Sequence, residues 1–161
     1  MRHVPLAYTL TLYGVKAIAA RYTVGVTGVI LNAAGQVLVL QHVFRRDAPW
    51  GLPGGWVRHN ETPQEALRRE LLEETGLDIR VGPPLLVGPG RLPRHLETGF
   101  LCRAEGEMTH LSGEILAARW VDPDALPADM SPEDVNMVRL ATGLTAEGAE
   151  NAKEKTLGSC R

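Results

Sequence analysis

Hydrophobic and polar positions change their spacing along this chain, and each change marks an element. Tyr22 to Leu31 is rich in Val, Thr and Ile and predicts a strand. Asn32-Ala33-Ala34-Gly35 is a turn, and Gln36 to Val43 predicts a second strand, so the two read as a hairpin. Arg45 to Pro49 is a polar loop. Trp50-Gly51-Leu52-Pro53-Gly54-Gly55 reads as a bend that neither a helix nor a regular strand interior tolerates. The clearest helix follows. Thr62 stands as its N-cap, Pro63 at the first helical position, and Glu65 completes a capping box. Good helix formers run to Thr75, and Gly76 supplies a left-handed stop. Leu77 to Val81 and Leu85 to Val87 predict strand pieces broken by Pro83-Pro84. Thr98 to Ala104 and Ile115 to Val121 predict further strands. Ser131-Pro132-Glu133-Asp134 opens a last helix with the same cap-and-proline grammar. Strands flanking two separated helices predict an α/β sandwich around a mixed sheet.

The length of 161 residues is that of one domain, able to fold without a disulfide or zinc staple. The expected organisation is an N-terminal arm or helix over 1–20, a domain over 21–144 and a frayed tail over 145–161. Arg2 and His3 before the apolar stretch from Val4 to Val15 follow the grammar of a signal peptide. Thr9, Thr11 and two tyrosines dilute that stretch and Lys16 sits at the supposed cleavage site, so an arm packing on the domain is the favoured reading. No apolar run reaches a membrane span. The cysteines Cys102 and Cys160 lie far apart with no metal-ligand spacing, which excludes a structural zinc site and makes a reducing, cytoplasmic compartment the expectation. Lys plus Arg is 17 and Asp plus Glu is 19, a formal net charge of -2, which disfavours a stable nucleic-acid partner.

Glu70, Glu73 and Glu74 fall within one arc of the helix, while Leu67 and Leu71 lie on another arc and can pack on the sheet. Like charges at this spacing weaken a helix, and an acidic face is most often mere solvated surface. Here, however, the carboxylates follow the Gly-Pro bend in a fixed register. Gly55, five residues, Glu61, seven residues, then Arg69-Glu70-Leu71-Leu72-Glu73-Glu74-Thr75-Gly76-Leu77 make up 23 positions. This pattern resembles the complete box of the Nudix hydrolase (MutT-like) family. The resemblance implies a Nudix-type α/β/α sandwich and hydrolysis of a phosphoanhydride.

The chemistry suits the residues. A pyrophosphate repels an attacking water, and a hard divalent cation neutralises its oxygens, fixes the geometry and acidifies the water. Mg2+ takes oxygen ligands and keeps several waters, so carboxylates on a rigid helix fit it. The resemblance implies Mg2+ or Mn2+ held by Glu70, Glu73 and Glu74, with the Gly54 carbonyl as a further ligand. It also implies a glutamate base, Glu70 in many relatives, and makes Arg69 and Glu61 supports of the cluster. Glu114, six residues before Trp120, matches the place where some relatives carry an extra metal-binding or base carboxylate. An ordinary loop glutamate is the competing reading.

Around the acids the chain turns basic. Arg45, Arg46 and Arg58, with His42 and His59, and then Arg91, Arg94 and His95, are the candidates for holding substrate phosphates. Phe44, Trp50 and Trp56 are candidates for stacking a base, with Trp50 in the bend more often a packing residue. The chain departs from the family pattern at two positions. Arg58 replaces the usual Glu and Asn60 the usual Gly; Asn tolerates a left-handed backbone, whereas Arg58 reverses a charge and would favour a more anionic ligand. Pro93, 16 residues after Leu77, matches a proline frequent in ADP-ribose pyrophosphatases of the family. The expected substrate is therefore a small nucleoside diphosphate linked to another group, with ADP-ribose-like compounds first and nucleoside triphosphates, oxidised ones included, second. A non-catalytic nucleotide sensor and an RNA-decapping enzyme are the competing classes. Many relatives form homodimers, and the composition of the arm leaves that question open.

Overall fold

The computed structural model describes residues 21–143, so the expected arm and tail lie outside the described residues. The elements run β1 (Thr23–Leu31), β2 (Val37–His42), β3 (Trp50–Gly51), β4 (Gly54–Trp56), α1 (Pro63–Thr75), β5 (Asp78–Pro89), β6 (His95–Glu105) and β7 (Ile115–Val121). A second helix, α2, covers 132–143. The seven strands form one sheet in the order β3-β2-β1-β6-β5, with β4 on β1 and β7 on β2. β1 and β6 run parallel. The remaining named pairs are antiparallel, so the sheet is mixed.

Side-chain alternation along β1 and β2 builds two cores. Val26, Ile30, Leu38 and Leu40 pack with Ala66, Leu67 and Leu71 of α1. Val29, Leu31, Val37 and Val39, one residue out of phase, pack with Met137, Val138 and Ala141 of α2. A strand stretch buried on both faces is apolar at every position, as Val29–Leu31 and Val37–Leu40 are. The result is the α/β/α sandwich.

The capping signals of α1 are realised in full. The Thr62 hydroxyl accepts from the Glu65 amide at 3.3 Å, the Glu65 carboxylate accepts from the Thr62 amide at 2.7 Å, and Gly76 ends the helix at φ 67°. In α2, the Ser131 hydroxyl accepts from the Asp134 amide at 3.1 Å.

Two expectations need correction. The prolines do not break β5, which runs unbroken from Asp78 to Pro89 with register shifts around Pro84. β5 is the edge of the sheet and pairs with β6 alone, so a missing amide proton on its outer side costs little. The Gly/Pro segment is also not a plain bend. β1 and β2 pair at Leu31 and Val37 beside their turn and then part. The segment 50–56 fills the gap, with Trp50 and Gly51 on β2 and Gly54 to Trp56 on β1. Only glycine fits at Gly54, where a Cβ would lie 2.2 Å from the Val26 carbonyl oxygen. The loop 43–49 leaves and re-enters the sheet between two fixed points. Its ends are tied by the His42 amide donating to the Pro49 carbonyl at 2.8 Å and the Val43 amide to the Glu114 carbonyl at 2.9 Å.

Leu67 is fully buried between α1 and the sheet. Leu67→Ala is expected to cost about 2–5 kcal/mol, read as a lower denaturant midpoint with an unchanged m-value.

Candidate active site

The site starts from one guanidinium. Arg69, on α1, donates to Glu61 at 2.8 and 3.1 Å, to Glu70 at 2.7 Å, to Glu73 at 3.3 Å and to the Trp56 carbonyl at 3.1 Å. It thus ties the loop after β4 to the acidic face of the helix. Its bonds hold the Glu61 carboxyl down at about 2, helped by the Arg58 amide. Glu70 in turn lies against Gly55, where a Cβ would come within 2.4 Å of the carboxylate carbon. Glycine at that position is what lets the helix carboxylate reach the sheet.

Glu70, Glu74 and Glu114 line one cavity of about 360 Å³, together with Gly54, Gly55, His42, Arg45 and Glu97. Glu74 is 8% exposed, and its Oε2 has no hydrogen-bond partner. Burial pushes its carboxyl up to about 7, with Glu70, Glu114 and Glu73 adding to the rise and Arg45 opposing it. Burial, with Arg45, also keeps His42 neutral by lowering it to about 4. A buried, unpartnered carboxylate oxygen is costly unless something positive binds it.

A second chamber of about 660 Å³ opens beside the first and shares Thr27, Phe44, Arg45, Trp56, His95 and Glu97 with it. Its walls include Leu86, Leu92, Met137 and Leu140, and Arg46 and Arg91 stand on it. Arg91 is paired with Glu133, and Arg45 lies 4.0 Å from Asp134.

The structure does not bring every candidate to these cavities. Glu73 is half-exposed, lines neither, and is paired with Arg69 and Arg58. Arg58, expected to face the substrate, instead reaches the Glu73 carboxylate at 3.2 Å. Glu73 thus has Arg58 as a second cationic partner beside Arg69. Arg94 also lines neither cavity and sits in a turn at φ 56°. Pro93 in the same turn is likewise absent from both linings. Asn60 adopts φ 65°, the left-handed backbone expected of it. Trp50 is buried with Arg119 stacked over its ring, a packing role, whereas Phe44 and Trp56 are exposed at the cavities. Sequence reasoning missed Glu97, which the predicted strand from Thr98 leaves out and which β6, beginning at His95, includes.

Among the described residues no three His, Cys, Asp or Glu side chains converge into a ready-made metal cage. The donors at the cavity floor still fit a hard divalent cation. They are carboxylate oxygens, one of them buried without a partner, and Mg2+ commonly takes one or two carboxylates and keeps its waters.

Comparison with known proteins gives the setting. The model of the family described as NUDIX domain matches residues 21–141. A MutT-like protein of Streptomyces ambofaciens is 29% identical over 127 residues, 79% of this chain and 80% of the relative. A Bacillus subtilis (strain 168) protein provisionally assigned as an 8-oxo-dGTP diphosphatase is 32% identical over 144 residues, covering 78% of this chain and 92% of its own length. The crystal structure of an ADP-ribose pyrophosphatase from Streptococcus suis superposes with a TM-score of 0.61 at 22% identity, over 75% of this chain and 91% of the other, a likeness of fold.

The buried Glu74 sets a pH dependence. Its folded carboxyl holds a proton up to about 7, against 4.5 ordinarily. The folded state therefore binds more protons between those values, and metal-free stability falls as pH rises through that window. Glu74→Gln, in the presence of a chelator, is expected to melt a few degrees above the native protein at pH 7.5 and to equal it at pH 4. Thermal melting across pH checks this.

Proposed function

This chain belongs to the NUDIX domain family of pyrophosphohydrolases, and from that premise we propose that it hydrolyses a nucleoside diphosphate linked to another group, ADP-ribose-like compounds foremost. The observation that carries the proposal is the partnerless Oε2 of buried Glu74, beside Glu70 and Glu114 on the floor of a cavity. In this reading Glu70 and Glu74 hold Mg2+ or Mn2+, with the Gly54 carbonyl beside them. When bound, such a cation neutralises the diphosphate and makes water a better nucleophile.

The chain's own groups do the rest. Arg69 is a positioning residue that fixes where Glu70 points. Glu70 or Glu114, both lining the cavity, would take the water's proton. The water oxygen bonds to one phosphorus as the bridging oxygen leaves with the other, giving a mononucleotide and a phosphorylated second product. Arg45, which lines both cavities, is the cation for phosphate oxygens, while Arg46 and Arg91 offer their charge to the part of the substrate in the second chamber. Glu73, Arg58 and Arg94 act at one remove, through their backbone or ion-pair partners.

One comparison favours a second substrate class. The Bacillus subtilis relative is named for 8-oxo-dGTP, which makes oxidised nucleoside triphosphates the alternative.

Product release with Mg2+ across ADP-ribose, NADH, dinucleoside polyphosphates and 8-oxo-dGTP separates the two. Turnover is expected to be greatest on ADP-ribose-like compounds, to vanish with chelator, and to fall at least about 100-fold in Glu74→Gln. Preferred turnover of 8-oxo-dGTP selects the alternative, and metal-dependent nucleotide binding without turnover would point to a sensor.

A further inference from the structure

The parallel pairing of β1 with β6 sets Thr23 opposite His95, Gly25 opposite Glu97 and Thr27 opposite Gly99. Alternation puts these six residues on one face of the sheet. On that face the Thr27 hydroxyl donates to Glu97 Oε1 at 2.7 Å. His95 Nε2 lies 3.2 Å from Glu97 Oε2, and its Nδ1 lies 2.9 Å from the Thr23 hydroxyl. A neutral His95 satisfies both contacts when the Thr23 hydroxyl donates to Nδ1 and Nε2–H donates to Glu97. Gly25 leaves the space these groups occupy, since a Cβ there would lie 2.5 Å from Glu97 Oε2.

This arrangement fixes Glu97 in a place where a phosphate site has no use for a negative charge. Its side chain is 27% exposed, and among the described residues no Arg or Lys forms an ion pair with it. Each oxygen has one protein contact and can accept another hydrogen bond from the cavity. A ligand group that donates hydrogen bonds fits there, and a phosphate does not.

The order of groups along the cavities identifies the donor. The first cavity holds Glu70, Glu74 and Glu114; the second has an apolar wall of Leu86, Leu92, Met137 and Leu140, with Arg46 and Arg91 also on it; Glu97 lines both. A nucleotide runs in the same order: phosphates, sugar, base. We infer that Glu97, held by Thr27 and His95 between the metal-type carboxylates and the apolar chamber, is the specificity-determining residue that accepts hydrogen bonds from the cis-diol of a ribose. The inference rests on the pyrophosphohydrolase reading and adds to it that ribonucleotide substrates are preferred over deoxyribonucleotides.

The test uses a non-hydrolysable pair, adenosine 5′-(α,β-methylene)diphosphate and its 2′-deoxy counterpart, titrated by calorimetry with Mg2+ into the full chain. The native protein is expected to bind the ribose form about tenfold or more tighter, the size of a hydrogen bond to a charged group. Glu97→Gln is expected to bring the two affinities within about twofold while leaving binding of the deoxy form intact. Thr27→Val, which unfastens one oxygen, is expected to narrow the ratio as well and serves if Glu97→Gln does not fold. Equal affinities in the native protein, or an equal loss for both ligands in the variants, would overturn the inference while leaving metal-dependent hydrolysis standing. So would a variant that keeps the ribose preference but no longer separates adenine from hypoxanthine, which would move Glu97 to the base. Binding of neither ligand, together with silence across the hydrolysis panel, would overturn the functional reading itself.

Discussion

Arg69 is the joint on which the site depends. Four acceptors from three parts of the chain converge on its guanidinium: two helix glutamates, a loop glutamate and a backbone carbonyl. An acidic helix face is unfavourable by itself, because like charges a turn apart repel. A planar cation with a fork of donors turns that repulsion into an attachment between helix and sheet. Lysine would supply the charge but not the several directed bonds. Arg58 extends the same principle outward, taking Glu73 on the solvent side. Glu74 is the carboxylate left without such a partner, and the cavity takes its character from that imbalance.

Features that depend on neighbours in sequence are the most legible. The N-cap, capping box and glycine stop of α1 are all local, and the helix runs where they place it. The apolar runs of β1 and β2 likewise announce strands buried on both faces. The fate of the prolines is not legible, because it turns on β5 being an edge, which is a property of the whole sheet. The segment 50–56 reads as a bend from its own residues, since nothing local shows that β1 and β2 part and leave a gap for it.

The site divides along the same line. The spacing of Glu70, Glu73 and Glu74 places them on one arc, yet a rotation of one residue separates buried Glu74 from half-exposed Glu73. Arg58, Arg91 and Arg94 look equivalent as basic residues near the motif. Their carboxylate partners and turn geometry distinguish them, and those partners lie as far away in sequence as Glu133. Glu97 is invisible in the sequence because its meaning comes from a parallel register that joins residues about 70 positions apart.

The loop 43–49 has a different status from the rest of the cavity wall. It contributes Phe44, Arg45 and Arg46 to the chambers, yet both its ends are pinned to the sheet by backbone hydrogen bonds. The loop's side chains and the helix carboxylates are therefore held by different parts of the fold. The loop can lengthen, shorten or exchange side chains while the glycine-lined contact between strand and helix stays in register. For protein engineering it is a replaceable segment, and a library confined to these seven positions would vary the chamber wall while the sheet and α1 keep their register.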